Sequence, residues 1–130
     1  LGYDDLGPYR VMVDNGSSRF LFTIGGNNVW SANNSLTAST WHHIALTKTS
    51  TSTAKLYING VETNFGTNTT RSVSTTKFVV GSRWRNSAGT YPDQYFNGLV
   101  DDCAYFNRTL TANEVKTVYT AATVNGCRLA

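Results

Sequence analysis

Most of the chain alternates apolar and polar residues at period two and is punctuated by Gly, Asn and Ser, as antiparallel strands with one buried face do. The pattern predicts strands at Tyr9–Val13, Arg19–Ile24, Asn28–Ser31, Trp41–Lys48, Ala54–Asn59 and Lys77–Ser82, a weaker one at Val61–Phe65, and a long run from Gln94 to Asn107. Within Trp41–Lys48, His42, Ile44 and Leu46 share one face and Trp41, His43 and Ala45 the other, so both faces are partly apolar, as in a sandwich. Trp41 is assigned to the core.

Asn59-Gly60 lies between two of these stretches and predicts a tight hairpin, because both central positions of a type I′ turn need φ > 0. The segments Thr47–Thr53 and Asn64–Thr76 are Thr- and Ser-rich and lack apolar periodicity, which reads as loop or exposed edge. One helix is expected near the C-terminus. Thr111-Ala112-Asn113-Glu114 has capping-box spacing, Leu110 and Val115 are placed for a hydrophobic staple, and Val115, Val118, Tyr119 and Ala122 form an apolar stripe that ends before Asn125-Gly126.

The length of 130 residues fits a single domain spanning 1–130. At 40% hydrophobic, 12% aromatic and 15% charged, the chain is too apolar to be disordered, yet no window approaches a membrane span, so membrane insertion is not expected. The net charge of +3 comes from scattered basic residues, only Arg83 and Arg85 lying close together, which excludes the dense basic stripe of a nucleic-acid binder. Cys103 and Cys127 fit one structural disulfide in an exported protein, or two unpaired thiols of which one is buried. Low Lys and Glu with abundant Thr, Ser and Asn point the same way, to an extracellular or cell-surface setting.

Two motifs are familiar. The run Phe96-Asn97-Gly98-Leu99-Val100-Asp101-Asp102-Cys103-Ala104-Tyr105-Phe106-Asn107-Arg108-Thr109-Leu110-Thr111-Ala112-Asn113-Glu114-Val115 resembles the closing signature of laminin-G-like domains in the concanavalin A-like lectin and glucanase superfamily. Upstream, Trp41-His42-His43-Ile44-Ala45-Leu46-Thr47 and Leu56-Tyr57-Ile58-Asn59-Gly60-Val61 resemble the same family's strand pair. The resemblance covers roughly residues 9 to 122 and implies an all-β fold: a concanavalin A-like jelly-roll sandwich of two antiparallel sheets with one short C-terminal helix. Against the family pattern, Cys103 stands where Val is usual and the opening strands are lacking, which would leave a sheet edge for a homo-oligomer or a partner chain to close.

Fold alone does not assign function. The glucanases of the superfamily carry E-x-D-x-x-E, which supplies the paired carboxylates that retaining glycosidases need, and no such triplet is present. The motifs of its alginate lyases are missing too, so the chain is expected not to be an enzyme. His42 and His43 are adjacent on a strand and point to opposite faces, unsuited to holding one metal, and His42 reads as a packed core histidine. In many binding modules of the superfamily the Asp of the closing strand helps hold a structural calcium ion, so the resemblance makes Asp101 the candidate ligand; otherwise Asp101 bonds loop amides, and Asp102 pairs with Arg108 or the loop backbone. No other cofactor is expected.

Sugar rings stack on exposed aromatic faces while amides and carboxylates bond their hydroxyls. Trp30 in Asn27-Asn28-Val29-Trp30-Ser31-Ala32-Asn33-Asn34, and Arg83-Trp84-Arg85-Asn86 through Tyr91-Pro92-Asp93-Gln94-Tyr95, have that composition. Trp84, Arg83, Arg85, Tyr91, Asp93 and Trp30 are therefore the candidate ligand-binding residues, with core or edge packing the alternative for each tryptophan. The expected activity is non-catalytic binding of a carbohydrate or glycosylated protein, the alternative a structural or assembly module.

Overall fold

The computed structural model describes residues 9–14, 16–24, 27–49, 53–66, 80–82 and 95–124. Two antiparallel meanders carry the fold. The first, sheet A, runs in the order β1 (Tyr9–Asp14), β2 (Arg19–Ile24), β3 (Asn27–Trp30); the second, sheet B, in the order β4 (Ile44–Lys48), β5 (Ala54–Ile58), β6 (Val61–Gly66). A single helix, α1 (Ala112–Val124), follows.

Strand alternation decides which side chains meet. In sheet A, Phe20, Phe22 and Val29 point inward; in sheet B, Leu56 and Ile58 do the same, opposite Leu46 and Ile44 in the register. These residues form one cluster between the sheets, which is the core. The outer face of sheet B carries Ala45, Thr47, Lys55 and Tyr57, where Thr47 is paired with Lys55 and Ala45 with Tyr57. On the outer face of sheet A, Asp14 pairs with Arg19 and Leu21 with Trp30. The β5–β6 ladder slips by one residue between Leu56 and Tyr57, a bulge that sets Glu62 opposite Tyr57.

The β5–β6 hairpin turns on Asn59 (φ 52°) and Gly60 (φ 77°), the left-handed pair that a type I′ turn requires. Asn59 also secures the approach to β4: its amide donates to the His43 carbonyl at 2.8 Å and its Oδ1 accepts from the His43 amide at 3.0 Å. The capping box is formed as expected. The Glu114 amide donates to Thr111 Oγ1 at 3.2 Å, and Glu114 Oε2 accepts from the Thr111 amide at 2.8 Å. Val115 is fully buried and the Tyr119 ring lies 5.7 Å from that of His43, so α1 sits against the outer side of sheet B.

Several expectations are corrected. The run 95–107 forms no strand: it is irregular and exposed, and the bond from the Phe96 amide to the Gly81 carbonyl at 2.7 Å is not extended into the ladder a strand needs among the described residues. Val80–Ser82 is a bend rather than the end of a strand. Trp41 is 51% exposed, since β4 begins only at Ile44 and the sheet's alternation does not reach back to it. Thr47, shared by the predicted strand Trp41–Lys48 and the polar segment Thr47–Thr53, is buried within β4. The helix stripe is narrower than expected, with Val118 exposed, and Arg108 pairs with Glu114 at 2.7 Å rather than with Asp102.

Candidate functional site

Trp30 is held on the outer face of sheet A by an arginine that the sequence does not point to. The Arg19 guanidinium carbon lies 3.9 Å over the centre of the Trp30 ring, a cation–π stack. Arg19 is itself fixed: its Nε donates to Asp14 Oδ2 at 3.0 Å and one terminal nitrogen donates to Asn33 Oδ1 at 3.0 Å. That ion pair holds the Asp14 carboxyl below its ordinary pKa. Asn28 lies on the same face, its Oδ1 accepting from Thr23 Oγ1 at 2.9 Å.

The residues responsible are spread along the chain, and sheet register gathers them. Asp14 faces Arg19 across β1–β2, Trp30 faces Leu21 across β2–β3, and the long Arg19 side chain bridges from its own strand to the indole. Ser31 completes the corner: its hydroxyl accepts from the Phe20 amide at 2.8 Å, and its own amide donates to the Phe20 carbonyl at 3.0 Å. The result is an oriented aromatic ring with a cation on one face and amide and carboxylate groups around it. Chemically this can offer a stacking surface together with directional donors and acceptors; one indole face is already occupied by Arg19. Sequence reading named Trp30, with Asn33 in its amide-rich stretch, and missed Arg19 and Asp14, whose relation to it is visible only through strand pairing.

Arg83, Trp84, Arg85, Tyr91 and Asp93 lie outside the described residues, so the second candidate stretch is represented only by Tyr95, 70% exposed. Asp101 is exposed, and its Oδ1 accepts from the Asp102 amide at 2.9 Å. No group of three His, Cys, Asp or Glu side chains converges among the described residues. Cys103 is an exposed free thiol and Cys127 lies outside the described residues; a Cys103–Cys127 disulfide is not shown. His42 packs edge-on to Phe20 at 6.2 Å, and the Thr37 amide donates to its Nε2 at 3.1 Å, a core-margin role. No helix among the described residues is long and apolar enough to cross a membrane.

Comparison with known proteins places this geometry in a family. No curated protein matches the chain. Among solved structures, the chain is similar to an S-layer domain-containing protein (residues 221–444) from Clostridium thermocellum, with a TM-score of 0.58 and 23% identity. The similarity covers 92% of this chain but only 66% of that one, and at this identity it speaks for the fold alone. The Laminin_G_3 family, of the concanavalin A-like lectin/glucanases superfamily, matches residues 2–116. With that match over most of its length and two antiparallel sheets enclosing the core, the chain belongs to the laminin-G-like family of the concanavalin A-like superfamily.

Proposed function

We propose that this domain is a non-catalytic binding module of an exported or surface protein, and that it recognises a carbohydrate or a glycosylated protein. The observation that carries the reading is the Trp30 ring, oriented on an outer sheet face by Arg19 and bordered by Asn28 and Asn33. Such a ring stacks on the C–H face of a sugar while the fixed polar groups bond its hydroxyls, and pre-organisation lowers the ordering cost of binding. The stretch Arg83–Tyr95, with Trp84 and Tyr91 as further platforms and Arg83, Arg85 and Asp93 as polar partners, is assigned to the same ligand by its composition. The S-layer protein is consistent with a surface setting.

A glycan array probed with the wild-type chain, Trp30→Ala and Trp84→Ala tests this. Retention of specific glycans by the wild type and its loss in either variant supports the reading. A chain that retains no glycan, or retains it equally in both variants, overturns it.

A second reading, self-association or docking of a partner chain, is favoured by one specific observation: Tyr95, Phe96, Leu99, Val100, Tyr105 and Phe106 are all exposed within twelve residues of chain. Light scattering over a range of concentrations separates the two. A discrete dimer or larger species, together with an empty array, makes assembly the function; a monomer with a glycan hit removes it.

A further inference from the structure

The chain holds four Asn-Gly pairs, and two of them, Asn59-Gly60 and Asn97-Gly98, lie wholly within the described residues. Such a pair is chemically labile, because glycine has no Cβ to hinder its backbone nitrogen from attacking the side-chain amide that precedes it. In a folded protein the reaction needs a side chain free to swing and a backbone free to bend toward it, so local order decides its rate. The two pairs are opposites in this respect.

Asn59 is half-buried and tied on two sides. Its Oδ1 accepts from the His43 amide at 3.0 Å and its own amide donates to the His43 carbonyl at 2.8 Å. The ladder continues on either side of the turn, with Ile58 paired to Val61, and Gly60 lies close under α1, where an added Cβ would come within 2.9 Å of Tyr119 Cδ1. The Asn59 side chain cannot reach the Gly60 nitrogen without giving up its bond to His43.

Asn97 has none of these restraints. It and Gly98 are exposed, Gly98 sits at a bend in a run that joins no ladder, and neither the Asn97 side chain nor the Gly98 nitrogen has a hydrogen-bond partner among the described residues. The chain is anchored one residue earlier, where the Phe96 amide donates to the Gly81 carbonyl at 2.7 Å.

We propose that Asn97 is a site of spontaneous self-modification, the folded chain converting it to aspartate and isoaspartate while it protects Asn59. The Gly98 nitrogen attacks Asn97 Cγ: the N–Cγ bond forms, the Cγ–Nδ2 bond breaks, and the departing amide nitrogen takes the proton from the Gly98 nitrogen and leaves as ammonia. Water then opens the cyclic imide at either carbonyl, giving an aspartyl or an isoaspartyl link and releasing the carboxyl proton. The product puts an anion into the exposed apolar run that contains Phe96, Leu99 and Val100, and lowers the net charge of +3 by one. This modification is independent of the ligand assigned to Trp30.

The test incubates the whole 130-residue chain in mildly alkaline buffer, folded and in urea, and follows the amide-to-acid mass gain in its tryptic peptides. Cleavage after Arg85 and Arg108 isolates Asn97, and cleavage after Lys55 and Arg71 isolates Asn59 from the other Asn-Gly pairs. In the folded chain Asn97 should convert at least about tenfold faster than Asn59, corresponding to about 1.4 kcal/mol for the bond to His43 that Asn59 must break. In urea the two rates should converge, and Asn97→Gln should abolish the gain in its peptide. No conversion at Asn97 in the folded chain overturns the proposal, as does conversion no faster than at Asn59. A gain that persists in Asn97→Gln belongs to Asn86 or Asn107 and overturns the assignment, and a rate ratio unchanged in urea overturns protection by the fold.

Discussion

Gly60 joins the sheet to the helix, and replacing it with alanine isolates how firmly. A Cβ on Gly60 comes within 2.9 Å of Tyr119 Cδ1 and 3.4 Å of both Tyr119 Cβ and the Lys116 Cα. It also forces an L-residue to hold φ near +77°. The backbone term is about 1–2 kcal/mol, and overpacking against the Tyr119 ring, the closest contact, adds about 1–3 kcal/mol. Restricting the unfolded chain returns about 0.4–1 kcal/mol, which leaves a net loss of about 2 kcal/mol. At about 2.1 cal/mol/K per residue over 130 residues, that lowers Tm by about 7 °C. Urea unfolding followed by circular dichroism measures the loss directly, and a second cycle in a Tyr119→Ala background separates its parts. With the ring removed the cost of Gly60→Ala should fall to about 1 kcal/mol, the backbone share alone. A loss below about 0.5 kcal/mol, or one that Tyr119→Ala leaves unchanged, refutes the account of the hairpin as the seat of α1.

Leu56 is fully buried at the centre of the core, so Leu56→Ala should cost about 2–5 kcal/mol in the same unfolding assay. Burial lowers the His43 pKa from 6.5, so the unfolded chain takes up the proton more readily. Stability is therefore full above pH 6.5 and declines as pH falls below it, and His43→Gln should flatten that part of a stability-versus-pH curve. The Arg108 ion pair, followed by the Thr111 hydrogen bonds, holds Glu114 down to about 2, so its contribution is complete above pH 4.5 and lost as pH falls toward 2. Glu114→Gln removes the ion pair, and helix ellipticity should then lose its dependence on pH across that interval.

Local signals were the legible part of the fold. The Asn59-Gly60 turn, the Thr111–Glu114 box and the alternation in Arg19–Ile24 each carry their chemistry within a few residues, and each element forms where it was expected. What failed depended on partners. The run 95–107 has a strand's pattern but no ladder among the described residues, and Trp41 belongs to a motif whose strand begins three residues later, at Ile44. Thr47 was claimed both by the alternation in Trp41–Lys48 and by the polar run Thr47–Thr53, and β4 extends through it. Trp30 was visible as an aromatic among amides. Its Arg19 stack was not, since eleven residues of sequence separate the two and only pairing through β2 and β3 brings them together.

Both sheets are meanders, and every strand pair among the described residues joins neighbours in sequence. Each sheet can therefore close its own short loops before the two meet, which keeps the entropic cost of early pairing small. The long-range steps come afterwards: the collapse of Phe20 and Phe22 onto Leu56 and Ile58, and then the tie from Thr109 to Lys48 across 61 residues. This order makes the module assemble as two halves joined by residues 31–43, with the helix locked on last, so that lesions in α1 should speed unfolding more than they slow folding.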